Sequence, residues 1–426
     1  MIGSGEKMFE FCENLFPINR SLTGDGVRET LSIIKEELSD LNIYEVPSGT
    51  KCFDWTVPDE WNIRKAYVID PDGKKIIDFL DNNLHVVGYS VPIDEEMSLE
   101  KLDKHLHSLP NQPNAIPYVT SYYKKNWGFC LKHEQRKELK EGTYRVHIDS
   151  SLDQGSLTYG ELIVNKGCEK EIFLSTYICH PSMANNELSG PALTTFLAKK
   201  ILSMVDSSFT YRIVFIPETI GSIVYLSKNL EEMKEKIVAG FNITCVGDEN
   251  SISYLPSRNE KTLADRVAIH TLDHITNAYE KYSFLDRGSD ERQYCSPGID
   301  LPVCSVMKSK YGMYDEYHTS LDNLDFISAK GLYESYNIYI KMIEALEINK
   351  VYKVNNLCEP QLGKRGLYPE TSTLETNDLV KNMMDFLAYC DGKSDLLSIA
   401  QRIGIPIWEL EQIVMSLNEK NVISLT

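Results

Sequence analysis

Hydrophobic and polar positions along the chain fall into three successive patterns. Between Gly26 and Leu41, "GVRETLSIIKEELSDL" sets Val27, Leu31, Ile34 and Leu38 at helical spacing, which predicts an amphipathic helix. From about Lys51 to Val164 the spacing shortens to β-type runs such as "KAYVID", "KIIDFL", "HVVGYS", "GTYRVHID" and "LTYGELIV", divided by turn formers. Within them "VIDPDGKKIID" predicts a hairpin turning at Pro71-Asp72-Gly73. From Glu171 onward, unbroken apolar runs alternate with helical patterns. "EIFLSTYICH", "TYRIVFIPE", "KIVAGFNITCVGD" and "DLPVCSVMK" predict buried strands. The helix "GPALTTFLAKKILSM", with Pro191 suited to its first turn, opens the helical set between and after them.

Apolar strands joined by helices predict an α/β protein with a mixed, largely parallel sheet covered by helices. The β-type stretch then reads as a β-rich insert, and the end of the chain as three helices and a short strand, a winged helix-turn-helix. The expected organisation is an α/β domain from 1–50 plus 165–350, an insert over 51–164, a linker over 351–375 and a winged helix over 376–426.

Composition narrows the partners. At 42% hydrophobic and 25% charged residues the chain reads as an ordinary soluble globular protein. A net charge of −18 repels polyphosphate and anionic lipid, which disfavours nucleic acid and membrane as partners. The start, "MIGSGEKMFEFCENLF", lacks the basic and apolar regions of a signal peptide, and no stretch approaches the ~20 apolar residues of a membrane span. Ten cysteines without a close pair predict reduced thiols and a cytoplasmic protein. Oligomeric state is not legible, and a homo-oligomer stays open.

Ligands gather beyond the carboxyl ends of strands in open α/β sheets. Successive predicted strands end near His180 with Asn186 and Glu187, near Glu218, near Asp248 and Glu249, and near His318 with Asp315, Glu316 and Asp322. Two imidazoles and several carboxylates on one rim form a ligand set that suits zinc, with a further carboxylate as general base. In "DRGSDERQYCSPGI", Asp290 can support the ion and Arg292 can clamp a substrate carboxylate, or both can belong to an ordinary salt-bridged loop; Arg20 in "INRSLTG" has the same two readings.

"FPINRSLTGDGVR", "CHPSMANNELSG", "PETIGS", "CVGD", "GSDERQYCSPG" and "YHTSLDN", in this order, resemble bacterial aminopeptidase-like proteins related to zinc aminopeptidases with one or two co-catalytic ions. The resemblance covers nearly the whole chain and implies that His180 and His318 are metal ligands and Glu218 the general base. It places Asn186 where the family has a bridging Asp, Thr219 where it has a ligand Glu, and Thr244 nearest its third-strand Asp, with Asp248 the available carboxylate. A neutral amide does not bridge two cations as a carboxylate does, so one zinc is favoured over two. The expected site is zinc on His180, Glu187 and His318 helped by Asp248, with Arg20, Asp290 and Arg292 toward the substrate. The expected activity is a metal-dependent hydrolase of amide bonds, an aminopeptidase acting on a peptide or peptide-like conjugate. The insert would roof the site and restrict it to small or unusual amides, such as amino-acid-decorated sugars.

The alternative is a non-catalytic or regulatory protein that binds a ligand through the peptidase fold, with the winged helix as a DNA- or partner-binding module. Residues 376–426 hold seven acidic and four basic side chains, which favours packing or a protein partner over duplex binding.

Overall fold

The computed structural model describes residues 2–122, 124–367 and 374–426. The chain divides into two compact units, Met1–Ala264 with Glu280–Tyr336, and Asp265–Tyr279 with Asn337–Thr426. The first unit opens with helices α1 (Ile2–Leu15) and α2 (Asp25–Glu37). The predicted apolar face of α2 is the one it buries: Val27, Leu31 and Ile34 are inaccessible to solvent.

The main sheet has eight strands: β1 (Asn42–Pro47), β2 (Ser156–Val164), β3 (Glu171–Tyr177), β4 (Thr210–Ile216), β5 (Ile237–Asn242), β6 (Ser253–Leu255), β7 (Glu280–Lys281) and β8 (Val303–Met307). Their spatial order is β1-β2-β4-β3-β5-β8-β6-β7. The centre, β4-β3-β5-β8, is parallel, as the continuous apolar runs predict, and β1, β2 and β6 join antiparallel. Helices α3 (Ser189–Leu202) and α4 (Ile220–Lys236) follow β3 and β4. Gly190 lets α3 start hard against the sheet. A Cβ there would lie 2.5 Å from both the Ile243 carbonyl oxygen and Thr176 Oγ1.

The insert is a four-stranded antiparallel sheet in the order Lys75–Asp78, Glu60–Ile69, Thr143–Asp153, Ile93–Ser98, and the hairpin at Pro71-Asp72-Gly73 joins its first two strands. It is shorter than expected. "LTYGELIV" belongs to β2 of the main sheet, where it pairs with β1 and β4. The β-type texture runs across that boundary without a break, so local pattern does not divide the two sheets.

In the second unit, helices Leu374–Tyr389, Leu396–Ile403 and Leu410–Glu419 accompany a three-stranded sheet. Its central strand is Val351–Val354, flanked by Asp391–Asp395 and Ile423–Leu425. The expected linker therefore begins with a strand, which is four residues long and whose partners lie far along the chain. Residues 368–373 of that linker lie outside the described residues. Asp395 caps the second of these helices by accepting the Ser398 N–H and takes a bidentate contact from Arg266, at 2.8 and 2.9 Å.

In the same unit His270 Nε2 accepts the Ile407 N–H at 2.9 Å, so the ring must be neutral with its proton on Nδ1. Burial and the neighbouring His274 push this imidazole down to about 4. Unfolded, the ring titrates near 6.5, so the unfolded chain binds the extra proton first as pH falls. This contribution to stability is complete above about pH 6.5 and declines toward pH 4, by roughly 1–2 kcal/mol at pH 5. Thermal unfolding at pH 7 and pH 5 checks it: His270→Gln should flatten the difference, and an equal decline in both proteins would rule it out.

Candidate metal centre

β3 runs straight into Ile178-Cys179-His180, and the Ile178 N–H still pairs with the Ile216 carbonyl at 2.9 Å. Ser182 then takes a left-handed conformation, and one π-helical turn, Ala184–Leu188, leads into α3. Asp322 fixes that turn. Its buried carboxylate accepts the backbone N–H groups of Ala184, Asn185 and Asn186 at 3.1, 2.6 and 3.0 Å, and the Tyr314 hydroxyl at 3.1 Å.

The turn sends Asn186 and Glu187 to different sides of the site. Glu187 Oε2 meets His180 Nδ1 at 2.9 Å, and Oε1 lies 3.4 Å from Arg20 Nε. Arg20 also donates to the carbonyl oxygens of His180 and Leu15 at 3.1 and 2.7 Å. Arg20 and Glu187 are each only 1% exposed. With Nδ1 held by Glu187, Nε2 of His180 is directed away from it, toward Glu218 Oε2 at 3.6 Å. Asn186 Nδ2 donates to the Tyr177 hydroxyl at 2.8 Å, which leaves its Oδ1 facing His318 Nε2 at 3.2 Å.

His318 sits in a left-handed conformation (φ 56°) on the loop after β8. Burial and the adjacent His180 push its imidazole down to about 3, so it is neutral, as a metal ligand must be. The ring centres of His180 and His318 are 5.4 Å apart. Two imidazoles sharing a tetrahedral zinc at about 2.0–2.1 Å from each nitrogen have ring centres roughly 5 Å apart, a spacing close to the one seen here. A second donor group shares His180: Cys179, His180 and Glu187 each offer a ligand atom within 4.8 Å of the others. There burial raises the free thiol to about 11.

His180, His318 and Glu218 line one cavity of about 470 Å³, together with Cys179, Thr219 and Arg292. Burial raises the Glu218 carboxyl above its ordinary range, opposed by His180 and by the Ser289 hydroxyl, which donates to Oε1 at 2.8 Å. The insert contributes Tyr118 and Tyr122, joined by a 2.9 Å hydroxyl contact. Tyr118 also packs edge-on to His318, and its backbone N–H reaches the His318 carbonyl at 2.9 Å.

Glu187 stands beside His180 Nδ1 with Arg20 behind it and shares a donor group with Cys179 and His180; an ion on Nε2 would not reach it, because the two ring nitrogens point in different directions. Three expected site residues, Asp248, Arg20 and Asp290, have other work. Asp248 accepts from Asn250 N and Ser309 Oγ through Oδ1, and from Asn185 Nδ2 and Ser309 N through Oδ2. Its four lone-pair positions are thereby filled, which removes it as a ligand. Arg20 is sealed beneath the site and does not meet substrate. Asp290 Oδ1 accepts the Thr219 N–H at 2.7 Å and the Ser222 hydroxyl at 2.9 Å, capping α4, and burial with the Glu218 charge raises its carboxyl to about 8. Sequence reading missed Ser289, Tyr118 and Tyr122. "IPYVTSYYKKNWG" offered an aromatic cluster and nothing to link it to His318.

The fold is that of the zinc aminopeptidases. BSAP, a zinc aminopeptidase from Bacillus subtilis, superposes with a TM-score of 0.58 at 12% identity over 80% of this chain and 94% of that one. A Peptidase M28 precursor from Shewanella amazonensis does so with a TM-score of 0.56 at 12% identity, over 84% and 95%. The chain belongs to the family described as Domain of unknown function (DUF4910), whose model matches residues 9–349, and residues 350–425 match a winged helix-turn-helix model. A Clostridium acetobutylicum protein, provisionally named a polysaccharide biosynthesis protein with aminopeptidase-like domain, is 48% identical over 94% of this chain and 92% of its own length. A crystal structure of a provisionally named peptidase from Clostridium acetobutylicum superposes with a TM-score of 0.94 at 45% identity, over 100% and 97% of the two chains. No helix among the described residues is long and apolar enough to cross a membrane.

Proposed function

We propose that the protein is a zinc-dependent hydrolase of amide bonds that acts on a small peptide or peptide-like conjugate. The observation that carries the reading is the meeting of the His180 and His318 rings beside Glu218 on one cavity wall, at the carboxyl ends of parallel strands. The zinc aminopeptidases of the same fold support it. The residues that would hold the ion are His180 and His318 through Nε2, with the Asn186 amide oxygen, 3.2 Å from His318 Nε2, as a neutral third donor; both imidazoles line the cavity. When bound, zinc supplies a Lewis acid that polarises the scissile carbonyl and lowers the pKa of a nearby water.

Glu218 takes the proton from the attacking water as oxygen adds to the acyl carbon. It then delivers the proton to the amine as the C–N bond breaks, giving a carboxylic acid and a free amine. Ser289 holds the carboxylate in place for both transfers. The walls of Tyr118 and Tyr122 exclude bulk water and set the size of what enters.

Zinc content of the purified protein and turnover of a panel of aminoacyl amides, dipeptides and N-acyl amino acids test the reading. The expected result is about one zinc per chain, with hydrolysis abolished by a chelator and restored by added zinc. Hydrolysis at full rate after complete removal of metal would sink it.

A further inference from the structure

The cavity beside the two histidines carries one fixed cation. Among the described residues lining it, Arg292 is the one lysine or arginine and Glu218 the one carboxylate. Arg292 is exposed at the cavity wall, and Nη2 donates to Thr219 Oγ1 at 2.6 Å. No ion pair holds it among the described residues. Arg20, Arg212 and Arg266, by contrast, all lie against carboxylates. A guanidinium has five N–H donors in a planar fork that matches a carboxylate bidentately, and a hydroxyl partner occupies one of them.

Charge then decides what can enter. With a dication on His180 and His318, the cavity holds two positive charges from the ion, one from Arg292 and one negative charge from Glu218. That carboxylate is committed to proton transfer, and no other lines the cavity among the described residues to receive an ammonium group. A substrate presenting an ammonium group near the ion meets repulsion, and one presenting an anion meets Arg292.

We propose that the substrate carries a carboxylate bound by Arg292, which makes the substrate class a small N-acyl amino acid or dipeptide-like amide. This rests on the amide-hydrolase reading for the chemistry, but the anion site itself does not need turnover. A cavity of about 470 Å³ suits a molecule of that size.

Calorimetric titration of the full-length protein, zinc-loaded and zinc-free, with N-acetyl-L-alanine and with its primary amide tests the site. The acid should bind about ten-fold or more tightly than the amide in both forms. Arg292→Gln should remove most of that preference without moving the thermal midpoint, and Arg292→Lys should keep part of it. Equal binding of acid and amide, no measurable binding of the acid at millimolar concentration, or a preference that survives Arg292→Gln overturns the proposal. A preserved acid preference with no turnover of any amide would sink the hydrolase reading and leave the anion site standing. Turnover without an acid preference would do the reverse.

Discussion

Zinc should leave the protein when His318 is replaced by alanine. The imidazole contributes a neutral nitrogen that no other residue on its loop can replace, and Asn186 faces it with an amide oxygen only. Equilibrium zinc titration of His180→Ala and His318→Ala is expected to give affinity losses larger than the roughly 10–100-fold that removal of an outer partner costs. Glu187→Gln supplies the comparison. Its carboxylate takes the Nδ1 proton of His180 and answers Arg20, so its neutral replacement should weaken zinc by about 10–100-fold. It should also destabilise the fold, because breaking one side of a buried ion pair costs roughly 3–5 kcal/mol. If Glu187→Gln lost as much zinc affinity as His318→Ala while its fold stayed intact, the carboxylate would be a direct ligand and the Nε2 assignment would be wrong.

Glu218→Gln is expected to lower kcat by about 10²–10⁴-fold while leaving zinc content and thermal midpoint close to those of the parent. The amide can still accept the Ser289 hydroxyl, so the loop geometry is preserved. What disappears is an oxygen able to take a proton from water and return it to the departing amine. Ser289→Ala should give a smaller loss of kcat, because it removes one hydrogen bond that orients the carboxylate and leaves the base itself in place. A Glu218→Gln protein with parental kcat would remove Glu218 as the base.

Both expectations draw on residues that the chain's local pattern had already singled out, yet Asp248, Asp290 and Arg20 do not join the others at the cavity. His180, Glu218 and His318 were legible because each follows a strand whose apolar run is unmistakable, and parallel sheets bring such strand ends together. Arg292 was legible only as one of two readings of a charged loop. Asp248, Asp290 and Arg20 were misplaced for a common reason. A buried ionisable side chain in a loop looks the same in sequence whether it touches a ligand or satisfies backbone donors. Asp248 fills its lone pairs on Asn185, Asn250 and Ser309, and Asp290 caps α4. Those partners are backbone amides, amides and hydroxyls, which carry no charge signature to read.

The chain's order of apolar and polar residues by itself determined the parallel strands, the helices between them, the β-rich insert and the helical end, since these depend on periodicities of a few residues. Tertiary structure alone decided where β2 pairs, that Val351–Val354 centres the second unit's sheet, and that Tyr118 covers His318. It also decided which nitrogen of His180 faces Glu187 and which faces Glu218. That choice depends on a single π-helical turn held by Asp322 from a distant loop, and directions set by such long-range hydrogen bonds leave no mark on local spacing.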